Sequence, residues 1–576
     1  MPKIKRLGAL AANFLLVLML LGACGDNNTA TPSPLATTTA ATTIITTPVT
    51  TNTNTTVTTT TNAAPAAAWT QDGVCYSLFV RSFFDSNGDG NGDLQGVIAK
   101  LDYLNDGKSG SSKSLGVNCI WLLPVTESPT YHGYDTTDYY KINPDYGTND
   151  DFKKLVQEAH KRGINVLVDM VFNHTSIKHP WFQQAAADPK SPYRNWYIFS
   201  DTDPGYPGPL GQAWHKNPLG EGYYYGVFDS NLPDLNLTNP DVTKELYKVT
   251  EFWIKEMGVD GFRMDAIKHF IEDGQKQVDT PQTHQWLRDY RKYYLSLKPD
   301  FYTIGEISAG SSLLGYYPDQ LDSYFEFSLA LSFVNSAKRG QASFVNLIKD
   351  ANKNWPNQRY GSFLTNHDQP RIMDALGNDM AMMKLAATAY LTSTGLPFIY
   401  YGEEIGMLGT KPDEQIRTPM QWSGDSKGGF STGTPWEPLN PDVAKVNVQT
   451  QDSDSTSLLN LYRKLIQIRR TTPAVAQGDY TPLNSNYYKV ATYLRHAENS
   501  DVLVVLNMSD QPITDLKLDI DKSSLASGQY SPTLLMSLDG TNPALAPLTV
   551  QANGAIVGYA PLANIPATSG YIIKLK

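Results

Sequence analysis

The sequence predicts an α/β protein: a (β/α)8 barrel (TIM barrel) with a small domain inserted after strand three and a C-terminal all-β sandwich. Three observations carry the prediction. Eight short apolar runs alternate with helical patterns, and they are near-continuous rather than alternating, as expected where both faces of a parallel sheet are covered. The stretch between residues 172 and 243 is rich in Pro, Gly, Asn, Trp and Tyr and is too long for an ordinary loop. After Pro473 the helical spacing gives way to alternating segments separated by turn residues.

The eight runs are GVCYSLFV (73–80), GVNCIWLLP (116–124), GINVLVDMVF (163–172), GVDGFRMD (258–265), FYTIGE (301–306), SYFEF (323–327), GSFLTN (361–366) and LPFIYY (396–401). DDFKKLVQEAHKRG (150–163) and TKELYKVTEFWIKEMG (243–258) carry apolar residues at helical spacing between them, and LLNLYRKLIQIRR (458–470) closes the outer ring. The barrel therefore spans 69–173 and 243–472, the insertion 174–242 and the β domain 473–576. In the last, YYKVATYLRH, DVLVVLNMS, GAIVGYAP and GYIIKLK are the strand candidates.

The chain opens with basic MPKIKR and an apolar run ending in LGAC, the pattern of an export signal over 1–23. Leu21-Gly22-Ala23-Cys24 resembles the lipobox of bacterial lipoproteins, which implies lipidation of Cys24 and an anchor on the extracellular face of the cell envelope. Residues 24–68 are dominated by Thr, Ala, Asn and Pro, bury no apolar period and are expected to form a disordered stalk. The other two cysteines, Cys75 and Cys119, lie in apolar strand-like runs and are expected as buried thiols rather than a disulfide. The composition of the full chain, 41% hydrophobic and 18% charged residues, is that of a soluble globular protein, and its net charge of −10 argues against nucleic acid or an anionic membrane surface as partner. It is expected to act as a monomer.

Polar residues at barrel strand ends, where burial makes them costly, point to chemistry. Strand three ends with Asp169, Asn173 and His174, strand four with Arg263 and Asp265, strand five with Glu306, and strand seven with His367 and Asp368. Arg263 and Asp265 stand two apart, so on an extended strand both side chains point inward. The guanidinium keeps Asp265 ionised and oriented as a nucleophile, or the two form a plain buried salt bridge. Glu306, facing that negative charge, should stay protonated and suit a general acid. Such a carboxyl pair performs glycoside hydrolysis with retention.

From Trp69 onward the chain resembles the α-amylase family of glycoside hydrolases, through GVNCIWLLP, DMVFNHT, LPDLN, GFRMDAIKH, GEI, FLTNHDQPR and GLPFIYYGEE in that order. The resemblance implies Asp265 as nucleophile, Glu306 as acid/base and Asp368 as the residue that holds and distorts the sugar. It implies His174 and His367 as sugar-hydroxyl ligands, Arg263 as the orienting arginine and Tyr134, in YHGYDTTDYY, as the stacking tyrosine. Lys268 and His269 match the leaving-group side of true α-amylases, and Ala266 the small residue of α-1,4 cleavage. Asp135 with Arg417, in IRTPMQW, instead resembles the pair with which exo-acting α-glucosidases grip a non-reducing end.

Two calcium sites are expected. DSNGDGNGDLQG (85–96) spaces Asp85, Asn87, Asp89 and Asp93 as oxygen ligands on a tight loop, with glycine where an EF-hand carries its last glutamate. The family adds the Asn91 carbonyl, and implies a second ion on Asn173, Asp234 and the His269 carbonyl. The expected activity is hydrolysis of α-1,4-glucosidic bonds in starch, glycogen and maltooligosaccharides. The alternatives are an exo-acting α-glucosidase or oligo-1,6-glucosidase, a maltose-converting glucosyltransferase, and a non-catalytic surface sugar-binding protein, against which the intact trio Asp265, Glu306 and Asp368 argues.

Overall fold

A computed structural model describes residues 67–209, 211–308 and 316–576, so the signal segment, Cys24 and the stalk up to residue 66 lie outside the described residues. Eight strands close into a barrel: β1 (Cys75–Leu78), β2 (Cys119–Leu122), β3 (Asn165–Met170), β4 (Gly261–Met264), β5 (Tyr302–Gly305), β6 (Ser323–Phe325), β7 (Tyr360–Ser362) and β8 (Leu396–Tyr400). Each pairs in parallel with its sequence neighbours, and β8 pairs with β1. Every residue of these strands but Asn165, at the start of β3, is buried, which is why they read as unbroken apolar runs.

Most of the crossover helices begin on local hydrogen bonds that satisfy their first amides. Asp93 caps α1 (Leu94–Leu104) through the Gly96 amide. Thr148 and Asp151 form a reciprocal capping box on α2 (Asn149–Lys161). Asn239 caps α3 (Pro240–Lys255) and Thr280 caps α4 (Pro281–Leu297), each with proline at the first helical position. Two helices, α5 (Phe327–Arg339) and α6 (Phe344–Asn354), follow β6; α7 (Met380–Thr392) precedes β8, and α8 (Leu458–Thr471) ends the ring.

The insertion after β3 has a three-stranded antiparallel sheet from Phe199–Ser200, Trp214–Lys216 and Tyr223–Tyr225. Ala213, Trp214, Tyr225 and Val227 give it a small core of its own. Backbone bridges His174↔Asp234 and Tyr197↔Leu235 stitch its ends together beside the barrel mouth.

The C-terminal region carries a five-stranded sheet from β9 (Asp479–Pro482), β10 (Val490–Ala497), β11 (Ser500–Asn507), β12 (Thr533–Ser537) and β13 (Ser569–Lys574), ordered β9-β10-β11-β13-β12. Alternation divides β11 between two cores: Val502, Val504 and Leu506 join the barrel-side core, whereas Leu503 and Val505 face the second sheet. That sheet comprises Asn484–Ser485, Leu518–Ile520 and Ile556–Tyr559.

The cysteines correct an expectation. Cys75 and Cys119 form a disulfide, with Cα atoms 4.3 Å apart, because the parallel register sets the first residues of β1 and β2 directly opposite each other. Two apolar runs viewed separately carry no sign of that register.

Candidate active site

The barrel register builds the site. Arg263 on β4 lies opposite Asp169 on β3 and Ile304 on β5. The backbone continues the ladder one step further, with the Asp265 amide donating to the Met170 carbonyl at 3.1 Å and the Glu306 amide to the Met264 carbonyl at 3.0 Å. Both carboxyls are thereby delivered to the same rim.

Arg263 is buried and divides its guanidinium among three acids. One terminal nitrogen donates to Asp169 Oδ1 and Asp265 Oδ1, each at 2.7 Å, and the other to Glu306 Oε2 at 2.6 Å. The Trp121 ring lies 5.3 Å from the guanidinium carbon and 5.4 Å from Phe325, so the floor beneath the charges is aromatic. Burial pushes the Asp265 carboxyl up to about 6, with Arg263 opposing and Asp169 reinforcing the rise. Burial likewise takes Glu306 up to about 7, again against Arg263, with the charges of Asp265 and Asp368 adding to it. Desolvation is thus the main reason Glu306 holds its proton, and the facing charge that the sequence suggests comes second.

Directly after Asp265 the chain turns through Ala266 at φ 48°, a left-handed conformation that a non-glycine residue adopts at a cost of about 1–2 kcal/mol. The turn aims the Ala266 amide at Glu306 Oε2, 3.4 Å away.

Asp368, in the loop after β7, faces this pair from across the mouth, its side chain 43% exposed. Burial works against its ionisation, yet His367, Arg417 and Arg263 hold its carboxyl below the ordinary value. Arg417 donates to Asp368 Oδ1 at 3.0 Å, to the His367 carbonyl at 2.9 Å and to Asp413 Oδ2 at 3.2 Å. The Tyr134 hydroxyl sits 2.6 Å from His367 Nε2 and donates to Asp169 Oδ2 at 3.0 Å, and the Tyr134 and His367 rings are nearly parallel. Burial lowers His367 and His174 to about 3, so both rings are neutral and can donate and accept at once. His174 Nε2 meets the Tyr134 backbone carbonyl at 3.1 Å, which places this ring behind the tyrosine.

The expected residues divide accordingly. Asp265, Glu306, Asp368, Arg263, Tyr134, His367 and Arg417 converge, with His174 supporting. Lys268 lies on the rim, its Nζ donating to the Ser308 carbonyl at 3.2 Å. Asp135 and Arg417 make no direct hydrogen bond: Asp135 accepts from Ser128 at 2.6 Å, from Thr130 and from Ser176, while Arg417 stands beside Tyr131, 5.9 Å from its ring. Asp169 and Asp413 are members that the sequence leaves without a role, although the four-residue interval from Asp413 to Arg417 is an ion-pair spacing.

Among the described residues no three His, Cys, Asp or Glu side chains converge as a metal-binding group. On the 85–93 loop, Asp85 accepts from the amides of Asn87, Gly88 and Gly90 and from Ser431, and Asp93 from Ser86 and Gly96. Asn87 and Asp89 accept from amides two residues on, and the Asn91 side chain accepts from Arg81. An ion here would draw on amide and carbonyl oxygens as well as carboxylates. The second set fits a cation better. Asn173 Oδ1 is buried without a partner, its amide nitrogen donates to Asp234 Oδ2 at 3.0 Å, and Glu272, which the sequence does not single out, brings a buried, unpartnered Oε1. Burial first, then mutual proximity, raises Asp234, and burial pushes Glu272 up to about 7. The His269 side chain, lowered to about 3 by burial, packs on Phe228.

The family described as Alpha amylase, catalytic domain, matches residues 77–478. Alpha-amylase 3 of Dictyoglomus thermophilum is 39% identical over 446 residues, 77% of this chain and 85% of that protein. The oligo-1,6-glucosidase of Parageobacillus thermoglucosidasius is 33% identical over 524 residues, covering 77% of this chain and 91% of its own. Among solved structures, the alpha-amylase from H. orenii superposes with a TM-score of 0.75 at 39% identity, over 88% of this chain and 99% of the other.

Proposed function

The chain belongs to the alpha-amylase family of glycoside hydrolases, and from that premise we propose that it hydrolyses α-1,4-glucosidic bonds of starch-type glucans with retention of configuration. One observation carries the reading: a single buried guanidinium grips Asp265 and Glu306 through neighbouring nitrogens. The ionised and the protonated carboxyl are thereby held side by side, as double displacement requires.

In the first step the Asp265 carboxylate attacks the anomeric carbon as the glycosidic bond breaks, and the departing oxygen takes the proton from Glu306. The result is a glucosyl ester on Asp265. Glu306, now a carboxylate, removes a proton from water, whose oxygen attacks the same carbon, frees Asp265 and leaves Glu306 protonated again. Two inversions give net retention. Asp368, held by Arg417, grips ring hydroxyls most strongly as the sugar flattens. The neutral His367 and the Tyr134 ring complete the pocket for the reacting unit.

Related proteins named alpha-amylase and oligo-1,6-glucosidase both match over three quarters of this chain. A second reading, an exo-acting α-glucosidase, draws on Arg417 at the closed side of the pocket. Ala266 and the rim position of Lys268 favour the endo-acting α-1,4 form. Time-resolved products from soluble starch decide between them, with the anomer followed by NMR. Mixed α-configured oligosaccharides are expected; glucose alone would select the exo form, and β-anomers would reject the mechanism.

The reading includes structural Ca2+ on the 85–93 loop and on Asn173, Asp234, Glu272 and the His269 carbonyl, where the ion would neutralise buried carboxylates and brace the insertion. It also places the enzyme outside the cytoplasmic membrane, tethered through Cys24; the Cys75–Cys119 disulfide supports an oxidising compartment.

A further inference from the structure

A groove of about 520 Å³ runs between α6 of the barrel and the edge of the C-terminal sheet. It shares no residue with the catalytic site and falls within the roughly 300–1,000 Å³ typical of ligand sites. Its floor is fixed: the Tyr480 hydroxyl donates to the Val345 carbonyl at 3.0 Å, and Tyr480 packs on Tyr493 at 5.0 Å. Its walls are not buried. Tyr488 is 76% exposed, among the most exposed large apolar side chains of the described residues, and Lys489 stands 5.9 Å over its ring. Tyr487 lies beside it, fastened through its hydroxyl to Asp515. Asn346 and Asn484 line the groove with exposed amides that make no hydrogen bond among the described residues, and the one ionisable lining residue other than the tyrosines is Lys349.

We propose that this groove is a second α-glucan-binding site, distinct from the catalytic cleft, with Tyr488 as its stacking platform. The chemistry selects the ligand class. No carboxylate lines the groove to hold a cation or a basic peptide, and the two lysines at it, Lys349 in the lining and Lys489 over Tyr488, are a poor match for a polyanion. Flat apolar faces beside free amides suit a neutral chain that is apolar on its ring faces and rich in hydroxyls at its edges. The fixed floor means little order must be imposed on binding. The identity of that chain as an α-glucan rests on the catalytic reading above. Such a site would hold the enzyme on an insoluble polymer while the cleft works on a neighbouring strand, so its effect grows with polymer length and is absent for short substrates.

The test compares the full chain with its Tyr488→Ala and Asn346→Ala variants, both at exposed positions outside the catalytic machinery. Adsorption to granular starch should weaken about five- to tenfold in Y488A, while kcat and KM on a soluble nitrophenyl maltooligosaccharide stay unchanged. Unchanged adsorption in both variants would overturn the proposal. So would an equal loss on the short substrate, which would trace the effect to the cleft, or a concentration-dependent dimer abolished by Y488A, which would assign the groove to a second copy. If the wild type leaves the soluble substrate intact, the catalytic reading fails, while the adsorption difference still judges the groove.

Discussion

Replacing Arg263 by methionine keeps roughly the same volume and removes the only cation that, among the described residues, contacts Asp169, Asp265 and Glu306. With 2.7 Å between nitrogen and oxygen the Arg263 and Asp265 charge centres are about 4 Å apart, and at an effective dielectric near 20 the lost attraction is about 4 kcal/mol. At 1.36 kcal/mol per unit this is about three pKa units. Burial already places Asp265 at about 6, so its value should climb toward about 9. The reactive form is the carboxylate, and the sign follows: raising its pKa removes activity on the acid side. At pH 6.5 the ionised fraction drops from about three quarters to a few parts in a thousand, roughly a 200-fold loss from protonation alone. Glu306 moves the same way and keeps its proton, so activity should return as the pH is raised. The assay is the pH profile of kcat/KM on a soluble maltooligosaccharide, with circular dichroism as a check on folding. An acid limb displaced upward by at least two units is expected. A folded variant whose loss is uniform with pH would refute the electrostatic role and leave Arg263 a spacer.

Glu306→Gln should lower kcat by about 10²–10⁴-fold and abolish the alkaline limb, which in the wild type falls above about 7 as the acid loses its proton; starch adsorption should persist, and full turnover would move the acid elsewhere. Chelation by EDTA should lower the melting temperature of the wild type and leave a Glu272→Gln/Asn173→Ala variant less affected; equal shifts would take the ion away from that cluster. Cys75→Ala/Cys119→Ala opens a loop of sequence separation 44, for which chain entropy predicts a loss of about 4 kcal/mol in unfolding free energy, read by denaturant titration; no loss beyond about 1 kcal/mol would contradict a formed disulfide.

The barrel was legible because parallel strands buried on both faces leave apolar runs that solvent patterning does not interrupt: seven of the eight expected runs contain a whole barrel strand and the eighth overlaps one. Strand seven shows the limit. The apolar run 361–366 suggests a longer strand than Tyr360–Ser362, because the chain must leave the barrel early to carry His367 and Asp368 into the mouth. Residues on one short segment, such as Arg263 and Asp265, could be paired from spacing alone. What needed register stayed hidden: Cys75 opposite Cys119, Asp169 opposite Arg263, and Glu272 beside Asp234.

The charge count at the centre explains why the acid and the nucleophile are different residues. Three carboxyls, those of Asp169 and Asp265 buried and that of Glu306 mostly so, contact one guanidinium, and a fourth, Asp368, lies nearby with Arg417 as its own partner. One cation cannot stabilise three anions over an aromatic floor, so at least one proton must stay within the cluster near neutral pH. As a device for stability this would be poor, because apolar side chains of similar volume commonly serve a protein interior as well or better. As a device for catalysis it sets the roles. Asp265 shares its Arg263 nitrogen with Asp169 and rises to about 6, Glu306 takes the other nitrogen and rises to about 7, and the proton rests on the higher of the two. A second cation placed beside Glu306 would erase that difference, and the pair would then have a nucleophile but no acid.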